Sequence, residues 1–327
     1  MITTASPRLV FGVYPGGFVV ANDAGAIPAG PPDHPDKINQ ALDYLQGGAD
    51  RAFLVRAYRA FTDLGQTGRH SLNETPAGFD RLLVHGRMLD LVAVYHSASG
   101  DVEGYCRFLG ELIARYGSRI SRLQVGEEPN VTDNPILDGY YPRVADAIVT
   151  GVTVAKQHAR RLGHTHIQVG CNTTPLLGPA SGFLIHLIRA GGERFIHDLD
   201  YLGLDFFPDV FRPVADVETA IEQLLAHHRG LMTAGGLAQV PLIITEHGWP
   251  TGPDRPAERQ AQVLTGVIRT IDRNVKALNI TGYTHFSLRD QDSHSNNLFH
   301  RFGLMTDDYT PKPALHTYRD LIGRHAT

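Results

Sequence analysis

The sequence predicts an α/β fold, a single (β/α)8 TIM barrel, and three observations support this prediction. The chain has 327 residues, about the length that one such barrel with modest insertions needs. Apolar residues make up 42 % of the chain, which is enough for a large core. Short β-branched runs alternate with longer helical stretches along the whole sequence. We therefore expect residues 1–327 to form a single domain.

Eight short runs are strand candidates, because most of them are continuously apolar, as parallel strands covered by helices are. In chain order they are Leu9–Val13, Ala52–Arg56, Asp90–Tyr95, Ser121–Val125, His166–Gly170, Tyr201–Phe206, Pro241–Thr245 and Gly282–Ser287.

Eight helix candidates repeat apolar residues at a spacing of about 3.6 positions. In chain order they are Lys37–Gln46, Phe79–Met88, Val102–Tyr116, Pro142–Leu162, Ser181–Ala190, Val217–Thr233, Pro256–Ala277 and Pro313–Gly323. Strands that alternate with helices in this way indicate a closed parallel barrel. A doubly wound open sheet is the alternative, but the turn after the first strand, Val13–Gly17, lacks the third glycine of a dinucleotide-binding fingerprint.

The composition limits the classes of partner. The formal net charge of −4 and the isoelectric point near 6.5 provide no basic surface field, so we expect neither nucleic acid nor a membrane as partner. Cys106 and Cys171 are too few for a disulfide framework, and we expect free buried thiols. The sequence has no long apolar run and no charged leader. We expect a cytoplasmic protein, with a secreted mature form as the alternative.

Acidic residues end two of the predicted strands. Glu127 and Glu128 follow strand 4, and Glu246 follows strand 7. Chemistry in this kind of barrel takes place at the carboxyl ends of the strands. Two carboxyl groups about 5–5.5 Å apart can hydrolyse a glycosidic bond with retention, one as acid and one as nucleophile. Spacing alone does not say which residue takes which role.

The surrounding residues resemble those of the clan A glycoside hydrolases. Glu127-Glu128-Pro129-Asn130 is similar to the Asn-Glu-Pro motif at the end of strand 4 in that clan. Thr245-Glu246-His247-Gly248-Trp249-Pro250 is similar to the strand 7 motif of plant β-1,3-glucanases. The resemblance implies that Glu128 is the general acid/base and Glu246 the nucleophile. It also implies a single catalytic domain with a carbohydrate or glycoside substrate and no cofactor.

Further segments extend the resemblance along the chain. Arg56 at the end of strand 2 matches the arginine that supports the nucleophile in many members, where it would keep Glu246 ionised. Asp200–Pro208 resembles the strand 6 motif of β-galactanases, and the tail Phe302–Ala314 resembles the closing pattern after strand 8.

Three departures point to an unusual substrate. Glu127 replaces the asparagine that binds the sugar 2-hydroxyl, and an ionised carboxylate only accepts hydrogen bonds. We therefore expect a donor-rich or cationic 2-substituent, unless Glu127 is a solvated loop residue. Phe207 replaces a tyrosine that contacts the nucleophile, so Glu246 should lose one hydrogen bond and depend more on Arg56. Trp249 is the only tryptophan, whereas polysaccharide clefts stack several sugars on aromatic rings.

Three more residues are candidates for substrate binding, each with a plainer alternative. His96 and Asn172 follow strands 3 and 5 and either bind substrate hydroxyls or cap loops. Trp249 either stacks on a sugar or packs the barrel rim. The seventeen histidines show no metal-binding spacing, so we expect no metal.

Together these features predict a retaining β-glycoside hydrolase that acts on a small or unusual β-linked glycoside. One alternative is a glycosidase-like barrel that binds a glycoside or metabolite without hydrolysing it. Another is a different acid-base reaction on the same scaffold, such as elimination or transglycosylation.

Overall fold

A computed structural model describes residues 9–63 and 74–325, apart from residues 18, 23, 24 and 29. Eight parallel strands form a barrel that closes because β1 pairs with both β8 and β2. The barrel strands are β1 (Val10–Tyr14), β2 (Phe53–Thr62), β3 (Met88–His96), β4 (Ile120–Val125), β5 (Gln168–Thr173), β6 (Tyr201–Asp205), β7 (Leu242–His247) and β8 (Ile280–Phe286).

All eight predicted strands are confirmed, with shifts of a few residues at their ends. The largest difference is in β2, which continues to Thr62 because Leu54–Thr62 pairs in register with Met88–His96 of β3. A two-residue strand, Glu74–Thr75, pairs antiparallel with β2. A hairpin of Val19–Asn22 with Gly25–Pro28 lies in the connection after β1.

Seven α-helices connect the described parts of the barrel. They are α1 (Pro35–Gln46), α2 (Val102–Tyr116), α3 (Val144–Arg161), α4 (Phe183–Asp198), α5 (Val217–Ala234), α6 (Ala257–Asn274) and α7 (Pro313–Arg324). Side chains before two of them fix their starts: Asp101 accepts from Gly104 N at 2.8 Å, and Asp216 accepts from Glu218 N at 3.1 Å. An N-cap of this kind satisfies a free amide of the first turn.

The predicted helix Phe79–Met88 is wrong. The chain forms only a 3-10 turn at Phe79–Leu82, and Met88 already begins β3. His85 and Gly86 have φ values of 54° and 75°, which a right-handed helix does not allow. The apolar spacing that suggested a helix instead serves this turn, in which Phe79 and Leu82 are buried.

Apolar side chains fill the layer between strands and helices, whereas several charged residues lie inside the barrel. Arg56 and Asp90 are fully buried, and Arg122 is 2 % exposed. The two cysteines are free, as expected, with Cys171 buried and Cys106 half-buried. No helix within the described ranges is long and apolar enough to cross a membrane.

Candidate active site

Four carboxyl groups lie at the carboxyl ends of the strands, the end where barrels of this type carry out chemistry. Glu127 and Glu128 follow β4, Asp205 ends β6, and Glu246 lies in β7. Arg56 of β2 joins two of them, because its Nη2 lies 3.3 Å from Glu127 Oε2 and its Nε lies 3.4 Å from Glu246 Oε1. The barrel thus brings the predicted Arg56 into contact with the predicted Glu246, and Glu127 lies on the same guanidinium.

Glu246 has two hydrogen-bonding groups beside it, one a cation and one an uncharged hydroxyl. Arg56 lies within ion-pair distance, and the Tyr58 hydroxyl donates a hydrogen bond to Oε1. Burial and the charge of Asp205 nevertheless raise the pKa of Glu246 to about 7, although Arg56 and Tyr58 lower it. Arg56 therefore acts in the expected direction, but it does not offset the burial.

Gly248 allows β7 and β8 to approach each other closely just beyond Glu246. A Cβ atom at this position would lie 1.9 Å from the Phe286 carbonyl oxygen. Only glycine leaves room for that contact, which explains its place in the Glu-His-Gly-Trp motif.

Tyr58 was not predicted from the sequence, and it corrects the prediction made for Phe207. The Tyr58 hydroxyl accepts a hydrogen bond from Arg56 Nε at 2.7 Å and donates one to Glu246. The hydrogen bond expected to be lost at Phe207 is therefore supplied from β2. Tyr58 lies two residues after Arg56 on the same strand, and side chains at that spacing share a face. Strand alternation could have identified it, had β2 been predicted to its full length.

Glu127 is buried inside the mouth, so the alternative of a solvated loop residue is wrong. Its Oε2 accepts hydrogen bonds from Gln124 at 2.5 Å and from Arg56 and Asn172 at 3.3 Å each. Its backbone N–H donates to the Asp138 carboxylate at 2.8 Å, and its carbonyl accepts from the Asp138 N–H at 3.0 Å. These contacts fix the turn that leaves β4.

Asp205 was also missed as a site residue, although it ends β6 as the other acids end their strands. It accepts hydrogen bonds from Asn172 Nδ2 and Thr245 Oγ1 at 2.5 Å each, and it shares a hydrogen bond with Glu127. Two carboxyl groups can share a hydrogen bond only if one of them carries the proton. Burial and the charge of Asp205 raise the pKa of Glu127 well above its ordinary value. The pair therefore holds one proton, and burial with the Asp205 charge favours Glu127 as the residue that carries it.

Glu128 is the more accessible of the two neighbouring glutamates. Its φ of 44° lies in the left-handed region, which costs a non-glycine residue about 1–3 kcal/mol. Its backbone N–H donates to Asn172 Oδ1 at 3.0 Å, and this bond helps to hold the conformation. Burial, Asp205 and Glu246 raise the pKa of Glu128 well above its ordinary value, which favours the protonated form of this carboxyl group.

Asn172 organises the acids rather than standing free. Its Oδ1 accepts from Glu128 N, and its Nδ2 donates to both Glu127 and Asp205. The side chain is fully buried. Asn172 therefore does not act as a simple loop cap, and its Nδ2 donor is not free for a substrate. A contact of Asn172 with substrate stays a prediction.

His96 does not join the carboxyl cluster. Its Nε2 bonds the Ile136 carbonyl at 3.0 Å, and its ring stacks on Tyr141 with the ring centres 4.8 Å apart. Burial lowers its pKa to about 4, so the ring is neutral and Nε2 is the donor. The contacts correspond to the loop-capping alternative.

Trp249 packs into the barrel rim, which was the alternative to stacking on a sugar. It is 4 % exposed, its Nε1 donates to the Asp209 carbonyl at 3.2 Å, and the Arg255 guanidinium lies 5.0 Å from the ring centre. These contacts contradict an open ring face on which a sugar could stack. Phe207 is half-buried and packs on Phe286 and Phe302.

The cluster also has a spacing that suits a cation. Oxygen atoms of Glu127, Glu128 and Asp205 lie within 4.8 Å of one another, and carboxylate oxygens are ligands for Mg²⁺ or Ca²⁺. The Arg56 guanidinium already lies 3.3 Å from Glu127 Oε2 and offers one positive charge to this group.

No protein-family model matches this sequence, and no curated protein matches it either. The fold is similar to solved structures of glycoside hydrolases. One is a family 39 glycoside hydrolase from Bacteroides cellulosilyticus WH2, with a TM-score of 0.62 and 15 % identity, over 97 % of this chain and 64 % of that one. A glucosidase from Croceicoccus marinus has a TM-score of 0.67 and 15 % identity, over 98 % and 68 %.

A β-glucosidase from Exiguobacterium marinum has a TM-score of 0.65 and 13 % identity, and 98 % of each chain is covered. The present chain thus spans about two thirds of the first two proteins and nearly all of the third. Identities of this size show the fold alone. The class of the neighbours, glycoside hydrolases with a parallel barrel, agrees with the distant resemblance to clan A in the strand-end motifs.

Proposed function

We propose that this chain is a retaining β-glycoside hydrolase, with residues 1–327 as one catalytic domain and Glu246 and Glu128 as its two catalytic carboxyl groups. The observation that carries the proposal is that these two carboxyl groups have different neighbours. Glu246 has the Arg56 cation and the Tyr58 donor against one oxygen. Glu128 has two acidic neighbours that raise its pKa. A nucleophile needs neighbours that keep it ionised, as Glu246 has, and a proton donor needs neighbours that raise its pKa, as Glu128 has.

In the first step, the Glu128 carboxyl group gives its proton to the glycosidic oxygen while a Glu246 oxygen attacks the anomeric carbon. The bond from carbon to the leaving oxygen breaks, and a glycosyl ester of Glu246 forms. In the second step, the Glu128 carboxylate takes a proton from water, whose oxygen attacks the same carbon and releases Glu246. The first step needs Glu246 ionised in the free enzyme, and Arg56 and Tyr58 favour that form; the second step releases Glu246 as a carboxylate.

The neutral state of Glu127 changes the substrate that this proposal implies. A protonated carboxyl group carries no charge and has one O–H donor, which here bonds Asp205, whereas the amide of the related motif has two N–H donors. The departure at Glu127 therefore does not require a cationic 2-substituent. The candidate substrate is a small β-linked glycoside, because the one tryptophan packs inward and is not available as a platform for a long polysaccharide.

A 2-deoxy-2-fluoro glycosyl inactivator tests the proposal, because it forms a stable ester with the nucleophile. We expect peptide mass mapping to place the label on Glu246 and Glu246→Gln to remain unlabelled. Glu222→Gln, which changes an exposed glutamate of α5, is the matched control and should be labelled like the parent. A label on Glu127, Asp205 or any other residue would contradict the assignment.

The binding-only barrel stays the second candidate, and the pKa of Glu246 near 7 favours it. A nucleophile that is protonated cannot attack, so a barrel with this site could hold a glycoside without cleaving it. Saturable thermal stabilisation by aryl β-glycosides, without release of the aryl alcohol at any pH up to about 9, would support this candidate.

A further inference from the structure

Exposed apolar side chains concentrate at the mouth of the barrel. Of the seven large hydrophobic residues exposed within the described ranges, four lie on connections that follow barrel strands. These four are Tyr140 after β4, Leu177 after β5, Phe211 after β6 and Phe299 after β8. Isolated exposed hydrophobic residues are ordinary, whereas a group of them beside a cleft indicates a binding surface.

Phe211 and Phe299 are part of a closed ring of four phenylalanines. Centre-to-centre distances are 6.2 Å from Phe207 to Phe211, 5.9 Å from Phe211 to Phe299, 6.2 Å from Phe299 to Phe302 and 5.6 Å from Phe302 to Phe207. The outer pair is 59 % and 47 % exposed, and Phe302 is 2 % exposed. The inner residues therefore support the exposed outer ones, which we name the Phe211–Phe299 pair.

The aromatic contacts continue from this ring to the nucleophile. Phe286 lies 6.5 Å from Phe207, and it stacks on Tyr14 at 5.3 Å with 9° between the planes. Tyr14 meets Tyr58 edge-on at 5.4 Å, and Tyr58 donates to Glu246. The exposed pair is thus the outer end of a series of contacting aromatic rings, which we name the aromatic wall, and Tyr58 at its inner end contacts Glu246.

Phenylalanine rings favour an apolar occupant. They have no polar atom to bind sugar hydroxyl groups, and they pair with other rings at centre distances of about 4.5–7 Å in offset or edge-to-face geometry. The two ring planes are inclined by 36°, and because the side chains are 59 % and 47 % exposed, part of each ring is in reach of a flat group.

We propose that the Phe211–Phe299 pair binds an aromatic aglycone, so that the substrates are aryl β-glycosides. This inference rests on the proposed function and adds the chemical class of the leaving group. The Glu128 proton would pass to the aryl oxygen and the aglycone would leave as a phenol, while water supplies the hydroxyl group of the released sugar.

The test uses the double variant Phe211→Ala/Phe299→Ala and the control Tyr44→Ala/Leu162→Ala. The control residues are 43 % and 41 % exposed, on α1 and just after α3, away from the mouth. Substrates are the 2-naphthyl and methyl β-glycosides of whichever of glucose, glucuronic acid, xylose or galactose is hydrolysed best. We expect the double variant to lose about 10- to 100-fold more kcat/KM on the naphthyl than on the methyl glycoside. Equal losses would overturn the inference while leaving the hydrolase proposal intact.

Binding of free 2-naphthol, measured by calorimetry, tests the pair without any hydrolysis. We expect the parent and the control to bind it and the double variant to bind it at least about 10-fold more weakly. Equal binding by all three proteins, or binding by none, would contradict the inference even if glycosides are cleaved. Sedimentation would show whether the parent forms a dimer that the double variant does not form. Such a result would identify the Phe211–Phe299 pair as a subunit contact and would also overturn the inference.

Discussion

The two sides of the barrel mouth differ in what they offer a substrate. The side formed by β4 to β7 has four carboxyl groups, tied together by Asn172 and Arg56. The side formed by β8, β1 and β2 is aromatic, with Phe286, Tyr14 and Tyr58 in contact. The acidic side has the groups that can break a bond, and the aromatic side has rings on which a flat apolar group can pack.

Tyr58 belongs to both the acidic and the aromatic side of the mouth. Its ring packs in the aromatic wall, while its hydroxyl group bonds Glu246 and Arg56. The position and charge of the proposed nucleophile therefore depend on Tyr58 and Arg56, which both come from β2.

The largest effect is expected on the acidic side, at the proposed proton donor. Glu128→Gln should lower kcat/KM by about 10²–10⁴-fold on glycosides with poor leaving groups, because the amide has no proton to donate. The loss should be much smaller on a 2,4-dinitrophenyl glycoside, whose leaving group needs no protonation. Glu111→Gln, on the exposed face of α2, is the control. Equal losses on both substrates would exclude Glu128 as the acid.

The next effect tests the residue that joins the two sides. Tyr58→Phe keeps the ring but removes the hydrogen bond to Glu246, so kcat/KM should fall by about 10- to 100-fold. Because that bond lowers the pKa of Glu246, its loss raises this pKa. The active form is the ionised one, so the acidic limb of the profile of kcat/KM against pH should move to higher pH.

Tyr201→Phe is the matched control for that experiment, since Tyr201 is buried at the amino end of β6, away from the mouth. It should leave the acidic limb in place. A Tyr58→Phe profile that coincides with the parent would mean that the hydroxyl group does not act on Glu246.

The smallest effect is expected at Glu127, the carboxyl group that replaces the asparagine of the related motif. Glu127→Gln should retain kcat/KM within about five-fold, because an amide replaces the donor and acceptor of a neutral carboxyl group. Glu127→Ala should lose more kcat/KM than Glu127→Gln, since Arg56, Gln124 and Asn172 lose their common acceptor.

The position of the acidic limb separates the two protonation states of Glu127. If the residue is neutral, Glu127→Gln removes no charge and the limb stays in place. If it is ionised, the same change removes a negative charge near Glu246 and the limb moves to lower pH. A clear downward shift would therefore contradict the shared proton with Asp205.

The sequence was sufficient for the strand order and for the positions of the main acids. Continuous apolar runs identify parallel strands, and an acid after such a run lies at the mouth because all carboxyl ends meet there. Glu128, Glu246 and Arg56 follow from that rule and from their motifs. The helix predicted at Phe79–Met88 failed because backbone angles at His85 and Gly86 override the apolar spacing.

By itself, the sequence determined the barrel and the residues that end its strands, since both depend on local patterns along one chain. Only the tertiary structure decided the partners: Tyr58 with Glu246, Asp205 with Glu127, and the inward position of Trp249. Each of these contacts joins residues of separate strands or loops, and they meet only when the barrel closes. The raised pKa of Glu127 follows from the same closure, because burial and the neighbouring Asp205 carboxylate act together only in the folded chain.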